Sequence, residues 1–338
     1  MQFGIFGGPS EEGPEAPGAS YRRFTDLAIE AEQLGYYGVY VVEHHFGGRG
    51  QLSSSLTYLS HLAALTSRLR LGTAVIVLPW HNPALVAEQA ATVDVLSGGR
   101  LDLGVGRGYQ YPEFRGFQIP IEEAGDRADE AIEMIRTAWT TEGRFSHHGR
   151  FWHFEDILSE PRPAQSPHPP LWQGAGSPAS IRRVARGGYR LFLDQIASFE
   201  LTAERVAIYR EEQAAAGQPS SAEEIAVTRG LLLVASDDER EAAVERGVRT
   251  VRRLAELAAA GADPAERSSR PFYSDPEAAR QTTEESAILG TPTECIERLR
   301  HLQAGGVERV LFSNPRPKDL RLFAREVMPA FASTPAPA

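Results

Sequence analysis

Cysteine is almost absent. Cys295 is the only one in 338 residues, so no intrachain disulfide can form and a reducing compartment is the natural home. Long hydrophobic runs are missing as well: no apolar stretch approaches the ~20 residues that a bilayer-spanning helix needs. The opening residues 1–8 carry no basic segment and no apolar core of signal-peptide length, so the expectation is a cytoplasmic protein without a leader. Positive charge is in deficit, 35 Lys and Arg against 45 Asp and Glu for a net −10. That balance argues against nucleic acid as a partner, and the acidity reads as a solvated surface.

What the chain does contain is enough apolar material for a large core, at 42% of residues. Strand and helix patterns alternate along it. Residues 2–7 fit a first strand, and Phe24, Leu27, Ala28, Ala31 and Leu34 recur at helical spacing before Gly35. Strands are further predicted over 38–43, 69–78, 100–108, 171–173, 190–194, 225–234 and 307–312, with helices between them. The alternating stretch 144–154 around Gly149 reads as an inserted β-hairpin, and 161–170, with five prolines, as a connecting loop. Residues 261–290 show no clear period and are expected to form a long lid-like loop. Thr291-Pro292-Thr293-Glu294 is a capping-box helix start. Eight strands alternating with helices predict an α/β fold, a (β/α)8 TIM barrel, as one domain over 1–332 with a disordered tail at 333–338.

Several strand ends carry unusual residues, and a barrel places its chemistry at the C-terminal ends of its strands. Glu43-His44-His45-Phe46 follows the apolar run 38–42. Successive strand side chains face opposite ways, so adjacent His44 and His45 cannot easily chelate one ion, and no metal is expected. A single imidazole at the barrel mouth suits proton handling near neutral pH; a polar rim is the plainer alternative. Gly104-Val105-Gly106-Arg107-Gly108 is a poor dinucleotide loop, because Tyr109-Gln110-Tyr111-Pro112 follows and proline is expected to block a helix there. It reads better as a backbone approach to a flat cofactor. Arg107 is then either a phosphate ligand or a member of a surface ion pair. Ala175-Gly176-Ser177 precedes a helix beginning at Pro178 and offers amides for a phosphate, or merely turns the chain. Thr73-Ala74-Val75-Ile76 reads, on its residues alone, as buried strand. Phe46, Tyr58, Trp80, Tyr109, Tyr111 and Phe272 could line a lipophilic pocket or simply pack.

Taken together, residues 42–46, 71–79, 97–109, 172–177 and 322–331 resemble, in order, the bacterial-luciferase-like flavin-dependent monooxygenases. The resemblance implies reduced FMN bound noncovalently, supplied by a separate reductase. It implies reaction with O2 through a flavin C4a-(hydro)peroxide to oxygenate a lipophilic organic substrate. His44 matches the residue that assists oxygenated flavin, and Glu43 one lying close to the ring. A non-proline cis peptide is implied at Ala74-Val75, against the isoalloxazine. Arg107, Gly108, Tyr109, Ala175, Gly176 and Ser177 match cofactor contacts, the phosphate falling to Ala175, Gly176 and Ser177 with Arg107. A homodimer through the helices after strands two and three is implied by the same likeness. The alternatives are an F420-dependent oxidoreductase on the same barrel and a non-catalytic flavin-binding protein. The substrate stays open, from aldehydes and alkanes to terpenes and aromatic polyketide-like molecules, as do the mode of oxygenation and light emission.

Overall fold

Alternation of strand and helix runs from end to end in the computed structural model, which describes residues 1–10, 16, 18–48, 51–259 and 275–332. In chain order the elements are β1 (Gln2–Gly7), α1 (Ala19–Gln33), β2 (Gly38–Val41), α2 (Ser55–Leu65), β3 (Arg70–Thr73) and β4 (Ile76–Val77). Next come α3 (Pro83–Ser97), β5 (Leu101–Gly106), α4 (Tyr111–Phe117), α5 (Ala124–Thr140), β6 (Phe145–His148), β7 (His153–Ile157) and β8 (Leu171–Gly174). The remainder is α6 (Pro178–Arg186), β9 (Arg190–Leu193), α7 (Phe199–Ala215), β10 (Ile225–Arg229), β11 (Leu231–Leu233) and α8 (Arg240–Ala259). After it come α9 (Pro276–Ser286), β12 (Ile288–Gly290), α10 (Pro292–Ala304), β13 (Arg309–Ser313) and α11 (Pro317–Glu326). The main sheet runs β3-β2-β1-β13-β10-β9-β8-β5-β4, and β3 also pairs with β5. With β3 and β4 as one interrupted strand, this is the closed eight-stranded parallel barrel that the alternation predicted.

The chain divides into two compact units. The first comprises residues 7–29 and 38–174. Its interior is organised around Asp102, fully buried on β5. Arg70 on β3 holds that carboxylate from Nη2 at 2.5 Å and Nε at 3.2 Å, and Tyr40 on β2 donates to it at 2.6 Å. A buried carboxylate is tolerated only when so partnered. The Tyr40 ring lies over β3, where a Cβ on Gly72 would sit 2.0 Å from it, so only glycine fits there. The Asn82 side chain caps α3, and Gly98, left-handed at φ 67°, ends it. The hairpin β6–β7 pairs antiparallel, as its sequence pattern indicates.

The second unit comprises residues 1–6, 30–37 and the described part of 175–338. Phe3, Phe312 and Phe323 pack edge-on and stacked in its core, with ring centroids 4.7–6.1 Å apart. Each such buried side chain contributes roughly 1.5–3 kcal/mol. A short parallel pair, β11 with β12, carries its own cluster of Leu232, Val234, Ala243, Val244, Ala287 and Leu289. The capping box of Thr291 and Glu294 opens α10 as expected. Arg240 reinforces it at 2.7 Å, and the Thr291 backbone with that guanidinium holds the Glu294 carboxyl down to about 2.

Four local expectations are corrected. The strand over 69–78 breaks at 74–75, and a 3-10 turn, Leu78–Trp80, replaces its end. The strand over 225–234 divides into β10 and β11, which join different sheets. Pro112 does not block a helix; it sits in the first turn of α4, where its missing N–H costs nothing. Residues 276–290 are not aperiodic loop but α9 and β12. That helix is hard to see in the sequence because its buried face is Ala279, Thr283 and Ser286, with no large apolar residue. Residues 261–274 of the lid-like stretch, Phe272 included, and the tail 333–338 lie outside the described residues.

Candidate active site

Beyond β2 the chain turns at Val42, whose N–H bonds Gly7 O at 3.0 Å, and delivers Glu43 to a buried position. One oxygen of that carboxylate, Oε1, is met by His81 Nε2 at 2.8 Å, His45 Nε2 at 3.2 Å and the Trp80 indole at 3.3 Å. Burial alone would raise the Glu43 carboxyl. The hydrogen bonds from His45 and His81 outweigh it and hold the group below its ordinary range.

His44 faces elsewhere, as expected of adjacent residues. Its Nδ1 lies 3.2 Å from Glu113 Oε1 and 3.0 Å from the end of the Gln110 amide. Glu113, nearly fully buried on α4, also accepts the His45 backbone N–H at 2.8 Å. A carboxylate receiving a backbone N–H is a natural acceptor for Nδ1–H as well. The proton then sits on Nδ1, and the Gln110 amide is better turned to present oxygen. His44 Nε2 is left with its lone pair, and the ring remains one-fifth exposed. A fixed, partly exposed imidazole of defined tautomer can take or give one proton.

Helix α4 is what assembles this corner. Phe117 stacks on Trp80 with centroids 4.9 Å apart and meets the His45 ring edge-on at 4.9 Å, while Phe114 packs against Trp80 at 5.2 Å. Phe46, left-handed at φ 58°, lies over Gly116, where a Cβ would approach within 2.4 Å. Phe46 and Trp80 thus belong to this aromatic wall. Tyr58 does not: it is buried on α2, bonded to Thr25 at 2.9 Å.

The Ala74-Val75 peptide is cis, at the position the resemblance implies. Thr73 ties β3 to β5 beside it, donating from Oγ1 to Gly104 O at 2.7 Å and accepting Gly104 N–H at 2.9 Å. Val75 then lies against Gly106, where an added Cβ would come within 2.8 Å of its Cγ2. Gly108, at φ 75°, is similarly crowded by Val77 at 2.5 Å. Ala74 and Val75 are partly exposed. Both side chains are apolar. Arg107 and Tyr109 are exposed at the end of β5, and among the described residues no carboxylate pairs with Arg107. Its ion-pair alternative therefore has no partner here.

In the other unit, Ala175, Gly176 and Ser177 link β8 to α6. The Ser177 side chain caps the helix through a capping box with Ser180, and Ala175 N–H is spent on Phe192 O at 3.2 Å. Arg205, paired with Asp194 at 2.7 Å, brings Nη2 to 3.3 Å from where a Gly176 Cβ would stand. A guanidinium beside a helix start is an anion-friendly setting.

Four contributors escaped the sequence reading: His81, Gln110, Glu113 and Arg205. Glu113 stands 69 positions from His44 and His81 38 from Glu43, distances at which no local pattern speaks.

The sequence matches the luciferase-like monooxygenase family over residues 1–309. It is 28% identical over 333 residues to a flavin-dependent trigonelline monooxygenase oxygenase component of Acinetobacter baylyi, covering 93% of this chain and 91% of that one. It is 31% identical to an FMNH2-dependent dimethylsulfone monooxygenase of Pseudomonas putida, covering 90% and 86%. An uncharacterized protein of Sinorhizobium fredii is 36% identical, though the match spans only about half of each, 57% and 55%. Among solved structures, monooxygenase RslO1 from Streptomyces bottropensis superposes with a TM-score of 0.83 at 28% identity, covering 98% and 100%. An F420-dependent secondary alcohol dehydrogenase shares the fold alone, at a TM-score of 0.77, 18% identity and coverage of 98% and 99%. The chain belongs to the luciferase-like monooxygenase family.

Proposed function

We propose that the protein is a flavin-dependent monooxygenase that uses reduced FMN and O2 to oxygenate an organic substrate. The observation that carries this reading is His44: a partly exposed imidazole held through Nδ1 by the buried Glu113 carboxylate, in a chain of this family. The residues fit the cofactor. Ala74 and Val75, backed by Gly106, offer a ledge for the ring, with Gly108 and Tyr109 beside it. Arg107, and within their own unit Ala175, Gly176 and Ser177, carry groups suited to a phosphate. Glu43 spends its carboxylate on His45 and His81 and contributes to the cofactor as a neighbour. Bound reduced flavin supplies electrons to O2; the protein's part is orientation, proton placement and water exclusion. His44 is the catalytic residue, moving a proton at Nε2 while Glu113 fixes Nδ1–H.

The preference for FMN over F420 rests on the full-length relative from Pseudomonas putida, whose name specifies reduced FMN. Supply by a separate reductase is supported by the Acinetobacter baylyi relative, which is an oxygenase component. A lipophilic substrate would suit the wall of Phe46, Trp80 and Phe117. Homodimerisation through α2 and α3 is supported by exposed Leu65 on α2 and exposed Leu85, Val95 and Leu96 on α3. Among the described residues no helix is long and apolar enough to cross a membrane, and we assign the protein to the cytoplasm on its single, buried cysteine.

The test is His44→Ala in stopped flow. Reduced FMN should bind within a few-fold of wild type, while oxidised FMN reappears faster after mixing with O2 and substrate turnover is lost. Unchanged kinetics and turnover would remove His44 from the reaction.

A further inference from the structure

Glu43, His45 and His81 gather one ligating atom each, all within 4.8 Å of one another. His81 Nε2 and His45 Nε2 stand 2.8 and 3.2 Å from the same oxygen, Glu43 Oε1. A metal with bonds of about 2.0–2.2 Å separates its neighbouring ligands by about 2.8–3.6 Å, from octahedral to tetrahedral geometry. These two separations therefore already match edges of a coordination polyhedron.

The three side chains are also held in place before any ion arrives. Glu43 is only 3% exposed. His45 is fixed by its backbone bond to Glu113 and by edge-on contacts of its ring with Phe117 and Trp80. His81 closes the 3-10 turn Leu78–Trp80 through its N–H to Leu78 O at 3.0 Å. The imidazoles remain 14% and 31% exposed, which leaves a route for an ion and for water at further coordination positions. His44 is not part of the set, because its Nδ1 is engaged by Glu113 and Gln110.

We propose that Glu43, His45 and His81 form a binding site for a divalent transition metal. Two imidazoles and one carboxylate select borderline ions such as Zn2+, Co2+ or Ni2+ over Mg2+ or Ca2+. The competing description is a buried carboxylate that simply accepts N–H bonds from His45, His81 and Trp80. The two differ in what the nitrogens offer: lone pairs to a metal, or protons to Oε1. The site does not depend on the flavin reading, since none of its ligands needs a cofactor to be in place.

The test is titration of the purified full-length protein with Co2+ alone, followed by visible d–d absorption and calorimetry. One Co2+ per chain with a tetrahedral or five-coordinate spectrum is expected. His81→Ala and His45→Ala should each weaken binding by at least about tenfold, while His44→Ala leaves it within a few-fold. His81 is partly exposed, so its variant keeps the fold where Glu43→Gln could disturb the buried corner; circular dichroism verifies this. Absence of saturable binding would leave only the hydrogen-bonded carboxylate and overturn the proposal. So would an affinity unchanged in either histidine variant, or one equally reduced by His44→Ala.

Discussion

Replacing Glu113 by Gln removes a single charge and almost no volume. In the structure its Oε1 accepts from His44 Nδ1 at 3.2 Å and from His45 N–H at 2.8 Å. Glutamine keeps an acceptor for the backbone bond, so the loop should hold its place. What it cannot keep is a carboxylate opposite Nδ1. A hydrogen bond to a charged group contributes about 1.5–3 kcal/mol, and at about 1.36 kcal/mol per decade its loss predicts a 10- to 150-fold fall in turnover. The loss is deeper if the amide donates to Nδ1 and moves the proton to Nε2. An asparagine replacing the aspartate of a serine-protease triad shows that such a tautomer change can cost on the order of 10^4 in rate. Two measurements separate this from a structural role. Nitrogen-15 NMR of labelled histidine should show His44 protonated on Nδ1 in wild type and shifted toward Nε2 in Glu113→Gln. Oxygen uptake with reduced FMN should continue while product per O2 consumed falls. A variant with wild-type tautomer, full coupling and full turnover would refute the positioning of His44 by Glu113.

Three further outcomes follow from particular contacts. Arg107→Ala should weaken FMN far more than riboflavin in fluorescence titrations, and equal weakening of both would mean that the guanidinium does not touch the phosphate. Gly106→Ala puts a methyl 2.8 Å from Val75 Cγ2, an overpacking that costs about 1–3 kcal/mol. It should weaken FMN and riboflavin alike by about tenfold or more, and unchanged affinity would show that the ledge does not seat the ring. Glu294, held down to about 2 by the Thr291 backbone and by Arg240, stabilises the fold fully above the ordinary carboxylate range. That contribution is lost as pH falls from about 4.5 to about 2. Denaturant melts of Glu294→Gln should therefore approach wild type across that window, and a constant difference would reject the linkage.

The barrel was legible because its strands are apolar runs punctuated by glycine and proline, and its helices carry large residues at helical spacing. Legibility failed where those signals were replaced. Helix α9 buries only alanine and hydroxyl side chains, so its period is invisible. Pro112 reads as a stop because proline breaks helix interiors, yet it stands in the first turn. The cis peptide at Ala74-Val75 is implied only by likeness to a family, since Thr73 to Ile76 by themselves read as ordinary strand, and the same likeness is what singles out His44 over His45. Glu113, Gln110 and His81 were missed for a different reason. Each becomes meaningful only when α4 or the turn after β4 folds back on residues 43–45, and nothing in the spacing announces that return.

The most direct measurement of the central claim is an anaerobic calorimetric titration of the apoprotein with reduced FMN, with F420 titrated in parallel. Saturable binding of one reduced FMN per chain, much tighter than any binding of F420, is the expected result. Tight F420 binding without FMN affinity would contradict it, and failure to bind either would remove the flavin chemistry assigned to this barrel.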